Sequence, residues 1–278
     1  MQKFSLLAAL ALSGLAAFGA KDSPVSVFGF QLMDYAKAEK ISVDEAAARF
    51  RAAGVTGFDC DYADAFIPDL VKAGMKPVNF YVDMKFFAAD NGAKQSDAVL
   101  AAAEKWGVKL VMALPDEFTG ADDEGEFAKI VSGFRMLVRK ATAKGITVTT
   151  EDYGWHRPGK VNACGQTKWI LRLLKECPGL KFTVDSGNLM YTEGEGAILP
   201  LARATTDLTV HCHLKDLVMG SSGKAKYRTL GQGAVANAEI VRNLEAHGYR
   251  GWYTLENLVG DDLLADTKEQ IRVLNSWR

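Results

Sequence analysis

The sequence has little excess charge of either sign, and histidine and cysteine are both scarce in it. Its 278 residues include 33 basic and 34 acidic side chains, which gives a formal net charge of −1. A chain without excess positive charge has no bulk attraction to nucleic acid or to an anionic membrane surface. We therefore expect no nucleic-acid partner.

Long apolar runs are absent after the N-terminus. The chain opens with "MQKFSLLAALALSGLAAFGAKD", which is apolar as far as Phe18 and too short for a membrane span of about 20 residues. The small residues Ala17 and Gly19 stand where a signal peptidase requires them. This pattern predicts a signal peptide over residues 1–19, a mature domain over 20–278, and no stable membrane insertion after cleavage. The mature protein would then be periplasmic or secreted; an uncleaved membrane anchor is the alternative.

Export would permit disulfides, but the four cysteines are poorly placed for them. Cys164 and Cys177 bracket a helical pattern, and a helix of that length rises about 20 Å, far beyond the reach of a disulfide. Cys60 and Cys212 lie on different predicted strands. We expect all four cysteines to be reduced and buried.

After the N-terminal segment, eight short apolar runs each precede a stretch with helical periodicity, and most of these stretches end near glycine. Alternating strands and helices favour parallel strands, and eight such units predict an α/β fold made of a single (β/α)₈ TIM barrel. An open doubly wound sheet is the alternative, but the first turn, "GFQLMDYAK", has no glycine-rich phosphate loop. The predicted strands are 25–32, 56–62, 76–82, 109–115, 146–152, 180–186, 209–215 and 251–257.

Function in such barrels lies at the C-terminal ends of the strands. Four consecutive predicted strands carry an ionisable residue there: Glu151, Asp185, His213 and Glu256. Burying three carboxylates together is costly without a counter-charge. A divalent cation supplies that charge, and a neutral imidazole completes the site. The pattern predicts a metal site. The alternative is that each acid merely caps the loop that follows it.

Two histidines share one face of the seventh predicted strand, because side chains alternate along a strand. His213 lies nearer the rim, so it is the expected ligand, and His211 lies one layer deeper as support or as a packed core histidine. The two roles exchange if the strand ends later. Lys215, on the same face, can contact a substrate oxygen or pair in solvent with Asp216.

Other polar and aromatic residues near the strand ends are candidates for substrate contact. Asn188 follows Asp185 by three positions and can orient a ligand or a substrate hydroxyl. His156 lies in "YGWHRPG", after the fifth strand; this stretch and "FYVDMKFF" can pack or can stack on a sugar. The substrate-binding candidates are Lys215, Asn188, His211 and His156.

Four segments of the sequence resemble the sugar phosphate isomerase/epimerase superfamily of xylose-isomerase-like barrels. They are "TTEDYG", "TVDSGN", "VHCHLKD" and the closing "LGQGAVANAEIVRNLEAHGYRGWYTLEN". The resemblance implies one divalent metal ion, most often manganese, with magnesium, cobalt or zinc as alternatives, bound by Glu151, Asp185, His213 and Glu256. It also implies that Glu151 and Glu256 are the catalytic acid and base.

Two branches of this superfamily fit the sequence poorly. Ketose 3-epimerases carry an arginine soon after the strand-seven histidine, whereas here the residues are "LKDLVMGSSGKAKYR". The endonuclease branch holds three metals with many histidines, and this chain has four histidines in all.

These observations predict an exported, metal-dependent isomerase or epimerase that removes a proton next to the carbonyl of a sugar or keto-sugar. Its partner would be a small carbohydrate, and a homo-oligomer is compatible with the sequence. Two alternatives remain: a lyase that acts on 3-keto-glycosides at the same metal site, and a non-catalytic carbohydrate-binding barrel.

Overall fold

A closed ring of eight parallel strands forms the centre of the molecule in a computed structural model, which describes residues 23–120, 123–155, 157, 160–221 and 223–278. The predicted signal peptide lies outside these residues. Each predicted strand is present, although most are shorter than expected. The barrel strands are β1 (Val25–Phe28), β2 (Val55–Asp61), β3 (Lys76–Asp83), β4 (Leu110–Leu114), β5 (Thr147–Glu151), β6 (Lys181–Asp185), β7 (Thr209–Leu214) and β8 (Trp252–Leu255).

Neighbouring strands in the ring are also neighbours along the chain, and β1 pairs with β8 to close it. All eight pairings are parallel, so the C-terminal strand ends share one face. Asp185 of β6 is the register partner of His213 on β7, and Thr254 of β8 is its partner on the other side. The ring confirms the predicted (β/α)₈ barrel and excludes the open sheet.

Helices connect the strands and pack around the outside of the ring. The connection between β2 and β3 contains one short helix of six residues, and the longest helix among the described residues spans 20 residues. The helices are α1 (Gly29–Glu39), α2 (Val43–Ala52), α3 (Ile67–Lys72), α4 (Ala93–Trp106), α5 (Asp123–Thr142), α6 (Thr167–Glu176), α7 (Ile198–Ala204), α8 (Asn237–Ala246) and α9 (Leu263–Trp277).

The predicted first strand, 25–32, is wrong at its C-terminal end, because β1 stops at Phe28 and α1 begins at Gly29. Gln31, in the first turn of α1, accepts a hydrogen bond from the Phe28 amide at 2.9 Å. Its side-chain amide donates to the Glu256 carbonyl at 2.5 Å. The helix start is thus tied to the end of β8, which is distant in sequence.

Apolar side chains between the ring and the helices form the core. α5 and α6 bury one face each against the strands, as amphipathic helices do. All four cysteines are buried and free, as predicted. Among the described residues, no helix combines the length and the hydropathy needed to cross a membrane.

The inside of the ring, below its C-terminal mouth, is polar and fully buried. Ser26 and Thr254 hydroxyls lie 2.7 Å apart, and Asn79 donates to Asp59 at 3.0 Å. Two short hairpin-like pairs stand above the mouth: Glu117–Phe118 with Val161–Asn162, and Asp216–Met219 with Ala225–Arg228. The barrel therefore offers a pocket with a polar floor and loop walls.

Candidate metal centre and its surroundings

Four side chains from four neighbouring strands meet at the mouth of the barrel. Glu151 and Asp185 are the last residues of β5 and β6. His213 is next to last in β7, and Glu256 directly follows β8. Each offers one ligating atom, and these atoms lie within 4.8 Å of one another. The structure thus brings together the four residues that the sequence suggested as ligands.

Three atoms of this cluster are buried and poorly satisfied. His213 Nδ1 lies 2.5 Å from Glu151 Oε1. Nevertheless His213 Nδ1, Glu151 Oε1 and Asp185 Oδ2 make no hydrogen bond of acceptable geometry with any described residue. Each of these atoms lies close to a charged group, but without a hydrogen bond its burial is only partly compensated. Three carboxylates and an imidazole suit a divalent cation, so the residues fit one such ion, which would supply the missing partners.

Lys215 is buried beside the cluster and neutralises part of its charge. Its Nζ lies 3.1 Å from Asp185 Oδ2, 2.5 Å from Glu256 Oε1 and 3.1 Å from Asn188 Oδ1. It does not pair with Asp216, whose carboxylate accepts hydrogen bonds from the amides of Leu217, Gly231, Gly233 and Val235. Lys215 and Asn188 therefore stand at the floor of the site, where a substrate oxygen would reach them.

Burial and charge move the pKa values of this cluster in different directions. Burial raises the pKa of the Asp185 carboxyl well above its usual range, against the effect of Lys215. Burial acts upward on Glu256 too, but Lys215, Asp185 and His213 together outweigh it and lower the pKa of Glu256 to about 2. Burial acts downward on His213, but the Glu151 and Asp59 carboxylates together outweigh it and raise the pKa of His213 well above its ordinary value. These shifts favour the ionised form of Glu256 and the protonated form of His213.

Asp59, inside β2, supports both histidines from below and was missed in the sequence. Its Oδ2 lies 3.1 Å from His213 Nε2 and 2.7 Å from His211 Nε2. The Nδ1 atom of His213 is thereby left facing the cluster, and a carboxylate behind a ligating imidazole is the usual way to fix its orientation. His211 also contacts Thr254 at 3.1 Å. His211 lies in the lower layer, as expected, and is completely buried.

Asp152 is the second buried acid that the sequence did not single out. Its Oδ1 accepts the Asp185 amide at 2.7 Å, and its carbonyl accepts the Asn188 side-chain amide at 2.8 Å. Burial, and then the nearby Glu151 charge, raise the pKa of Asp152 well above its usual range. Asp152 therefore links the ends of β5 and β6.

A cavity of about 230 Å³ opens directly above the cluster. Phe28 forms one wall and packs edge-on against His213, with ring centroids 5.2 Å apart. His156, the remaining candidate for substrate contact, lies outside the described residues. The cavity is lined by Phe28, Asp61, Tyr81, Asp83, Met112, Leu114, Glu151, Tyr153, His213 and Glu256.

Comparison with known proteins defines the family of the chain. The xylose isomerase-like TIM barrel family matches residues 7–277, so the chain belongs to that family. The resemblance to the sugar isomerase/epimerase superfamily is thereby confirmed. No curated protein matches the chain.

Solved structures with the same fold share little sequence with this chain. A xylose isomerase-like TIM barrel protein from Mycobacterium smegmatis, in complex with magnesium, is 16% identical, with a TM-score of 0.69, covering 92% of this chain and 97% of its own. The 3-keto-D-glucoside 4-epimerase YcjR from E. coli is 18% identical (TM-score 0.64, covering 84% and 94%). A D-allulose 3-epimerase from Methylomonas sp. is 17% identical (TM-score 0.64, 84% and 91%). At these identities the likeness concerns the fold.

Proposed function

We propose that the protein is a divalent-metal-dependent isomerase or epimerase that acts on a sugar or keto-sugar. The observation that carries the proposal is the cluster of Glu151, Asp185, His213 and Glu256 within 4.8 Å, with three unsatisfied buried atoms. A bound cation would polarise the substrate carbonyl and stabilise negative charge on its oxygen. The epimerases among the structural neighbours support the choice of reaction, and the magnesium-bound neighbour supports the choice of cofactor.

Proton transfer next to the carbonyl is assigned to the two glutamates. They approach the cavity from β5 and from the end of β8, which are separated in the ring by β6 and β7. Glu256 is ionised at neutral pH because Lys215 lowers its pKa, as a proton acceptor has to be. Two carboxylates on different sides of a substrate can remove a proton from one face and return it to the other. Lys215 would hold a substrate oxygen as negative charge develops.

Substitution of each glutamate tests this assignment. Glu151→Gln and Glu256→Gln should each lower kcat by at least about 10²–10⁴, because each removes a general acid or base. Turnover is measured on free ketoses, aldoses and 3-keto-glycosides, with solvent deuterium uptake and metal content recorded for each variant. Glu195→Gln makes the same chemical change at an exposed position and is the control.

The outcomes separate the three candidate functions. An epimer or isomer that carries solvent deuterium supports the proposal. A product that has lost its linked group identifies a lyase at the same site. If metal-loaded wild type binds sugars but yields neither product nor exchange, the protein is a carbohydrate-binding barrel. A glutamine variant with full metal and wild-type turnover would rule out the acid–base assignment.

We also propose that the mature protein is exported, on the evidence of the apolar N-terminal segment. The family match begins at residue 7, within that segment, so the position of cleavage has to be measured directly. N-terminal sequencing of protein from the extracytoplasmic fraction should begin near Ala20. Membrane-bound protein that retains Met1 would favour the anchor.

A further inference from the structure

Exposed apolar side chains are unevenly distributed over the described surface. Trp155 is 60% exposed, Tyr191 37% and Tyr227 40%, and they are among only six large hydrophobic side chains with comparable exposure in the described part of the chain. All three line one cavity of about 500 Å³. Exposed apolar groups that cluster in a concave surface mark binding sites, whereas scattered ones do not.

This aromatic cavity, lined by Trp155, Tyr191 and Tyr227, adjoins the candidate metal centre. Tyr153 and Glu256 line both the aromatic cavity and the cavity above the cluster. The three aromatic residues come from the loops after β5, β6 and β7, the strands that supply three of the four candidate ligands. The aromatic cavity is therefore an extension of the same cleft.

The chemistry of the aromatic cavity is mixed. Lys215 and Asn188 line it on the side of the cluster, whereas the aromatic rings form its outer wall. The Tyr191 and Tyr227 hydroxyls are 2.8 Å apart, which fixes the two rings relative to each other across two loops. A sugar ring has the matching character, with apolar C–H faces for stacking and hydroxyls at its edge for polar groups.

The size of the cleft indicates how many rings it takes. The cavity above the cluster, at about 230 Å³, is smaller than the roughly 300–1,000 Å³ usual for small-molecule sites, and the aromatic cavity is about twice as large. We infer that the aromatic cavity binds a second sugar ring, so that the substrate is a glycoside whose carbonyl-bearing ring lies at the metal centre. This inference rests on the proposed function for the position of the reacting ring.

Binding of unreactive sugars tests the inference without turnover. Manganese-loaded protein is titrated by calorimetry with glucose, maltose, cellobiose, trehalose and sucrose. At least one disaccharide should bind about tenfold more tightly than glucose, a gain equivalent to about 1.4 kcal/mol. Equal affinity for glucose and all four disaccharides would overturn the second-ring subsite.

Substitutions in the aromatic cavity test whether it is the site of the additional disaccharide affinity. Trp155→Ala and Tyr227→Ala should each weaken disaccharide binding about tenfold, and both should leave glucose binding within about twofold, because glucose occupies the other cavity. Trp155→Phe keeps a stacking surface and should retain most of the affinity. Leu171→Ala removes an exposed apolar side chain from α6, outside the aromatic cavity, and is the control.

Two outcomes distinguish failure of the second-ring subsite from failure of the proposed function. If no sugar is turned over, yet disaccharide binding depends on Trp155 and Tyr227, the subsite stands and the isomerase assignment fails. If turnover depends on Glu151 and Glu256 but the alanine variants bind and convert disaccharides like wild type, the subsite is wrong and the isomerase assignment stands.

Discussion

His213 and His211 are two residues apart on β7 but contact different layers of the barrel. His213 Nδ1 faces the carboxylate cluster, whereas His211 lies beneath it, bonded to Asp59 and packed edge-on against the His213 ring at 5.0 Å. His213→Ala should abolish manganese binding, and His211→Ala should weaken it by about 10–100-fold, as loss of a supporting contact does. Equilibrium dialysis with elemental analysis measures both. Complete loss in both variants would show that both imidazoles ligate the ion.

The proton on His213 predicts that metal binding depends on pH. The pKa of His213 is raised, which favours its protonated form in the metal-free protein, and a cation that binds Nδ1 must displace that proton. Manganese affinity should therefore rise with pH until His213 is neutral without metal, and binding should release at least about one proton.

Calorimetry at one pH, in two buffers with different ionisation enthalpies, measures that release. His211→Ala retains His213 and should release the same number of protons. An observed binding enthalpy that is identical in both buffers would contradict the prediction.

The sequence predicted the rim residues better than those beneath them. Glu151, Asp185 and Glu256 stand at or beside strand ends, where a barrel is expected to place polar groups. Asp59 lies two residues before the end of β2, and its importance depends on histidines more than 150 residues away. Its position between the apolar residues Phe58 and Cys60 was the available signal, since an acid on a buried strand needs a partner.

Gly187, in the turn after β6, allows the close packing of Lys215. A methyl group at this position would lie 2.6 Å from Lys215 Cγ and 2.9 Å from its Cδ, so the lysine would have to move. Gly187→Ala should therefore lower turnover while metal content stays near wild type, and should cost about 1–3 kcal/mol of stability.

A double-mutant cycle with Lys215→Met tests whether that effect acts through the lysine. Gly187→Ala should have little further effect on turnover in the Lys215→Met background. Fully additive losses would show that the turn acts on turnover by another route.

The sequence predicted helices and strands whose signals lie within a short window, and it misplaced a boundary that depends on a distant contact. Two local signals, glycine at helix ends and short apolar runs, predicted the positions of all eight strands to within a few residues. The apolar run "VSVFGFQL" resembled one strand, yet α1 starts inside it, where Gln31 binds the end of β8. That contact spans 225 residues, so no window of sequence around Gly29 contains it.

For the whole molecule, a bound cation should raise the unfolding temperature. A ligand that binds only the native state stabilises it by about 2.7 kcal/mol at 100 times its Kd, which is roughly 5–10 °C for a domain of this size. Thermal melts with manganese and with chelator measure the shift. His213→Ala should melt at one temperature under both conditions; an unchanged wild type would exclude the metal centre.

The polar interior of the ring also limits how this barrel can be stabilised by design. Ser26, Asp59, Asn79, His211 and Thr254 are completely buried and connected by hydrogen bonds directly beneath the candidate metal centre. Replacing one of them with an apolar residue leaves its partners buried without a hydrogen bond. Replacing all of them removes the contact between Asp59 and His213. Thermostable variants should therefore come from the outer layer between strands and helices, where packing can change while the candidate metal centre is kept.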